Sequence, residues 1–171
     1  MFQKYCKYCI FLFFIGACVP DSEQFSEIPF IKFESIEQIK LNNKDSLIRF
    51  KISYTDGDGN IGLEVQDTQP PFDFYSKYFH NLYIEYYAIN NGVASKLIAP
   101  STTDTIQYND RIKNLTPTGK NKSIKGVLEM DIPAIPYPGL EPDSVYFTFQ
   151  LLDRNLNKSN KLITNVLNIL H

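Results

Sequence analysis

Leu47-Ile48-Arg49-Phe50-Lys51-Ile52-Ser53-Tyr54 decides the fold class of this 171-residue chain. Ile48, Phe50, Ile52 and Tyr54 alternate with Arg49, Lys51 and Ser53, and a period of two belongs to an extended strand with one face buried and the other in water. A helix would scatter the same apolar residues around its circumference. Val145 to Leu151 repeats the pattern, with Val145, Phe147, Phe149 and Leu151 on one face against Thr148 and Gln150. Outward from these two, strands are expected over Phe30 to Ile39, Leu82 to Ile89, Ala94 to Ile98, Thr105 to Ile112, Ser123 to Ile132 and Leu162 to Ile169. Asn90-Asn91-Gly92 supplies residues that tolerate positive φ and marks a hairpin turn. No stretch reads as an amphipathic helix. Roughly eight short strands separated by turn residues predict an all-β, antiparallel β-sandwich.

Composition agrees. The chain is 43% hydrophobic and 21% charged, close to the averages of a folded domain, and its 13 Phe and 11 Tyr suit a pleated, half-buried surface. Lysine and arginine number 17, two of them in the first nine residues, against 19 aspartates and glutamates. A mildly acidic surface offers no attraction to phosphate backbones, so nucleic acid is not an expected partner.

The first segment reads differently. Lys4 and Lys7 precede the uninterrupted apolar run Ile10 to Ala17, which stops at Cys18 and Pro20. Charge, short apolar core and small residues is the order of a cleaved signal peptide, and the run is far below the roughly 20 residues that span a bilayer. Ile15-Gly16-Ala17-Cys18 resembles a bacterial lipobox, in which the cysteine thiol takes a diacylglycerol and becomes the acylated N-terminus. That resemblance implies residues 1–17 as signal peptide, 18–28 as a lipidated cysteine with a polar tether, and 29–171 as the folded domain. Palmitate-type chains anchor durably once more than one contributes, at ~0.8 kcal/mol per buried CH₂. Val19 in the second mature position resembles the signal for the outer membrane of Gram-negative bacteria. Asp21 and Glu23 resemble the acidic surface-export signal of Bacteroidota lipoproteins, although acids also simply keep a tether solvated. Cys6 and Cys9 fall inside the discarded segment, so a mature domain holds no disulfide and no cysteine nucleophile.

An internal echo links the two strongest strands. Asp56-Gly57-Asp58-Gly59-Asn60-Ile61-Gly62 ends one, and Asp153-Arg154-Asn155-Leu156-Asn157-Lys158-Ser159 ends the other. The shared order of Asp, three residues, Asn, one residue and a small residue resembles the hairpin corner of immunoglobulin-like and fibronectin type III-like modules. Leu140-x-Pro142-x-Ser144-x-Tyr146 resembles the tyrosine corner of the same modules. Tyr146, however, is out of phase with Phe147, Phe149 and Leu151, which leaves either a bulge or no such corner. With the lipobox, Tyr54 to Leu63 and Asp153 to Asn160 resemble small Bacteroidota lipoproteins. That likeness implies an immunoglobulin-like sandwich at the cell envelope and names no chemistry.

Candidate chemistry is sparse. Asp56, Asp58, Asn60 and Glu64 place oxygens around a tight turn as calcium loops do, and calcium is the one cofactor the sequence suggests. An EF-hand is excluded, because its sixth position needs glycine and is Ile61. The alternative is that Asp-Gly-Asp-Gly-Asn only supplies turn conformations. His80 lies in an aromatic stretch without a nucleophile elbow, and His171 is the last residue, so a Ser-His-Asp arrangement and a zinc site are disfavoured. Gln66 to Asn81 carries Phe72, Phe74, Tyr75 and Tyr78, rings that either stack on a glycan or protein partner or fold back over an open sheet end. Folding back is the expected outcome, since a large exposed ring patch invites aggregation. The sequence therefore predicts a lipid-anchored, non-enzymatic binding or structural module of the cell envelope. A carbohydrate-active accessory protein or hydrolase is the alternative.

Overall fold

The computed structural model describes residues 24–171. The expected signal peptide, Cys18 and the first part of the expected tether lie outside the described residues.

Eight strands and no helix make up the described chain: β1 (Phe30–Leu41), β2 (Lys44–Asp56), β3 (Leu82–Asn90), β4 (Val93–Lys96), β5 (Ile124–Pro133), β6 (Ser144–Leu151), β7 (Leu162–Ile163) and β8 (Leu167–Asn168). One antiparallel sheet has the order β1-β2-β5. The other runs β4-β3-β6-β7, with β8 also paired to β6.

The alternation of the two strongest strands sets the core. Ile48, Phe50 and Ile52 of β2 and Val145, Phe147, Phe149 and Leu151 of β6 are all buried. Across the gap, the Phe50 ring meets Phe147 at 4.9 Å and Phe149 at 5.0 Å, so one aromatic cluster joins the sheets. Tyr86 of β3 packs edge-on to Phe147 and gives its buried hydroxyl to the Ala134 carbonyl, 3.0 Å away. In β1 the register shifts between Phe33 and Ser35, so inward residues change from Ile31 and Phe33 to Ile36 and Gln38.

Three expectations change in detail. Thr105 to Ile112 does not form a strand, and only isolated bridges join Thr105, Gln107 and Asp110 to their neighbours. Leu162 to Ile169 is broken into β7 and β8. Tyr146 lies on the outward face of β6, stacked flat on Tyr87 at 4.6 Å, so it is no tyrosine corner.

β3 begins beside the end of β6, and the bridge between Ile61 and Asp153 brings the end of β2 to the same side of the molecule. The long connections 57–81 and 113–123 and the turn 152–161 gather there, as does the approach to β1, held by the Gly57 amide donating to the Ser26 carbonyl. We call this the loop end.

Candidate functional site

At the loop end the two echoing turns lie side by side. Ile61 bridges to Asp153, and the Arg154 amide donates to the Asn60 carbonyl. In each turn the leading aspartate accepts the amide of the residue four positions on: Asn60 N reaches Asp56 Oδ2 at 2.9 Å, and Asn157 N reaches Asp153 Oδ1 at 2.7 Å. The residue three positions after the aspartate is left-handed in both, at φ 62 for Gly59 and φ 67 for Leu156. The sequence echo is thus an echo of backbone geometry.

Close packing hems in the first turn. A Cβ on Gly57 would sit 2.3 Å from the Phe25 carbonyl oxygen, and one on Gly59 would sit 1.8 Å from that of Lys122. These glycines are used for the approach of neighbouring backbone as well as for conformation. The loop cannot relax outward.

The result is a knot of acids. Asp56, Asp58 and Asp153 each bring an oxygen within 4.8 Å of the others, with Asp56 and Asp153 buried and Asp58 half-buried. Both Asp153 oxygens are bonded by Asn157. Asp56 Oδ1, Asp58 Oδ1 and Asn60 Oδ1 are enclosed and have no hydrogen-bond partner. Each such orphan costs roughly 1–3 kcal/mol. Burial, and then the neighbouring charge of Asp58, push the Asp56 carboxyl up to about 6, and burial also raises Asp153. The ion pairs among the described residues lie elsewhere. Glu64, expected as the fourth oxygen of the group, instead accepts from Asn114 Nδ2 at 2.7 Å, and Asp153 takes its place. A local reading of one turn could not find Asp153, although its alignment with Asp56 was the available signal.

Beside the turns runs the aromatic loop. Arg111 ties it from within, donating to the carbonyls of Phe79 at 2.6 Å and Asp67 at 2.6 Å. Arg154, from the second turn, grips Asp67 through both guanidinium nitrogens and holds its carboxyl below the usual range. On this pinned loop the four candidate rings divide. Phe72 and Tyr78 are half-buried, the first beneath Arg154 and the second beside Lys77. Phe74 and Tyr75 are 71% and 93% exposed and meet edge-on at 5.3 Å. Two of the four rings are thus partly covered by cationic side chains and two face outward. Phe74 also contacts Phe79, which lines an apolar depression with Leu63, Val65 and Arg111.

His80 sits over a shallow depression with Thr103, Asp104, Thr105, Gln107 and Asn109, a lining without serine or cysteine. Burial lowers its pKa. Comparison with protein-family models, curated proteins and solved structures finds no match. The geometry stands alone.

Proposed function

We propose that the chain is a lipid-anchored, non-enzymatic binding module of the cell envelope, built on an immunoglobulin-like β-sandwich and binding through its loop end. The observation that carries this reading is the exposed pair Phe74 and Tyr75 on a loop that Arg111 holds by its backbone carbonyls and Arg154 by the Asp67 carboxylate. Rings displayed on a rigid frame lose little freedom on contact, which is how a preformed surface gains affinity. The adjoining apolar depression around Phe79 supplies a concave neighbour for the same ligand. The two antiparallel sheets around one aromatic core support the immunoglobulin-like reading, and the lipobox at Cys18 supports the anchor.

Intact-mass measurement of membrane-extracted protein tests the anchor: the expected mature chain begins at an acylated Cys18, and one beginning at Val19 or later refutes it. For the binding end, full-length protein in lipid nanodiscs is mixed with polysaccharide and protein stripped from the cell envelope. Phe74→Ala combined with Tyr75→Ala should weaken binding at least tenfold without lowering the melting temperature. Equal binding by both proteins, or none by either, overturns the reading. Cleavage of the polysaccharide would replace it with the hydrolase.

A further inference from the structure

We propose that Asp56, Asp58, Asn60 and Asp153 form a calcium site that clamps the turn after β2 to the turn after β6. The inference begins from Asp56, which is 0% exposed and whose Oδ1 has no partner. Asp58 Oδ1 and Asn60 Oδ1, on half-buried residues of the same turn, are likewise enclosed and without a partner. One other enclosed oxygen among the described residues, Asp45 Oδ1, also lacks a partner, and it lies alone at the opposite end of the molecule. The orphans of the first turn are different in kind, because Asp56 and Asp58 gather with Asp153 into one cluster of carboxylates, none of which forms an ion pair with a lysine or arginine of the described residues. A cation supplies at once the missing partners and the missing charge.

The donor set selects the cation. Three clustered carboxylates, with the enclosed amide oxygen of Asn60 in the same turn, are hard oxygen ligands, without the imidazole or thiolate that would favour zinc. The three carboxylates lie within 4.8 Å of one another, close enough to share one calcium ion, whose bonds of about 2.3–2.6 Å let two of its ligands stand up to roughly 5 Å apart. Magnesium demands near-ideal octahedral geometry and dehydrates reluctantly, so it suits an enclosed cluster of protein oxygens less well than calcium, whose geometry is flexible. Asp56 and Asp153 come from distant parts of the chain, so the site exists only once the two sheets have assembled. Calcium should therefore bind the folded chain and stabilise it by mass action. The site is independent of the aromatic loop's ligand.

Calorimetric titration and thermal melting of the EDTA-stripped full-length protein in detergent, with calcium or magnesium chloride as the probe, test the site. Calcium should bind with measurable heat and raise the melting temperature by several degrees, with magnesium at least tenfold weaker. Asp58→Asn and Asp153→Asn should each weaken calcium at least tenfold while still melting cooperatively in EDTA. Glu64→Gln should bind as the parent does, as should the Phe74→Ala, Tyr75→Ala protein. Absence of heat and of any melting shift at millimolar calcium overturns the proposal. So does calcium binding that survives Asp153→Asn, or that Glu64→Gln weakens equally.

Discussion

Glu85 and Asp56 are both carboxylates on paired strands with little water around them, and the chain treats them in opposite ways. Glu85, on the outer face of β3, receives Lys96 Nζ at 2.6 Å, Lys161 Nζ at 2.8 Å and Thr148 Oγ1 at 2.9 Å. Burial by itself would raise its pKa, but the hydrogen bonds from Lys161, Lys96 and Thr148 outweigh burial and hold it at about 2. Asp56 has an amide on one oxygen, nothing on the other and two acids beside it, and is pushed up to about 6. The difference shows where this protein compensates charge from its own side chains and where it does not. The outer sheet face is electrostatically complete; the paired turns are not.

The strongest way to break that contrast is to loosen the frame that crowds the acids. Gly59→Ala places a methyl group against the Lys122 carbonyl at a left-handed residue, and should cost about 3 kcal/mol in urea unfolding. A cost near zero would mean that the turn yields, so that crowding does not explain the orphaned oxygens. Next comes the complete site. Glu85→Gln should lose about 1–2 kcal/mol at pH 7, the lysines being partly exposed. Because Glu85 ionises at lower pH folded than unfolded, the loss should be full above about 4.5 and should vanish as the pH falls towards about 2. A pH-independent difference would assign the effect to packing. At the incomplete site the sign should reverse: in EDTA, Asp58→Asn should gain about 1 kcal/mol, since an amide removes one of the facing charges. A loss there would show that Asp58 is already compensated. The smallest effect belongs to the second turn, where Leu156→Gly should gain about 0.5 kcal/mol by relieving its left-handed conformation at the expense of some packing.

Most of the sheet was legible because alternation in β2 and β6 depends only on which face meets the core, and both strands bury what their sequences alternate. Thr105 to Ile112 alternates too, yet it forms no regular ladder. Tyr108 and Asp110 donate their amides to Ile84 and Leu82, but the Ile84 amide is taken by the Asn109 side chain. A side chain standing in for a carbonyl is invisible to periodicity. The candidate site was half legible for a related reason. Asp56, Asp58 and Asn60 are neighbours in sequence and announce themselves, whereas Asp153 arrives only through the docking of β6 beside β2. Its echo of Asp56 recorded that the two turns are alike, and only the fold shows that they touch. The rings of the aromatic loop were underdetermined because composition cannot say which of them an arginine will cover.

Ser26 is fixed at the loop end by Gly57, while the Asp45 backbone and side chain fix Leu170 at the other end. The thirteen residues of β2 between those poles span roughly 40 Å at ~3.4 Å per residue. A pull at residue 26 would act along β1, whose whole ladder with β2 would share the load instead of opening one rung at a time as a zip does. A pull at residue 170 would meet only the Asp45 contacts and the two-residue pairing of β8 with β6. Stretched between those points, the chain would yield first at its β8 end, and the rate at which those few bonds open would set its resistance.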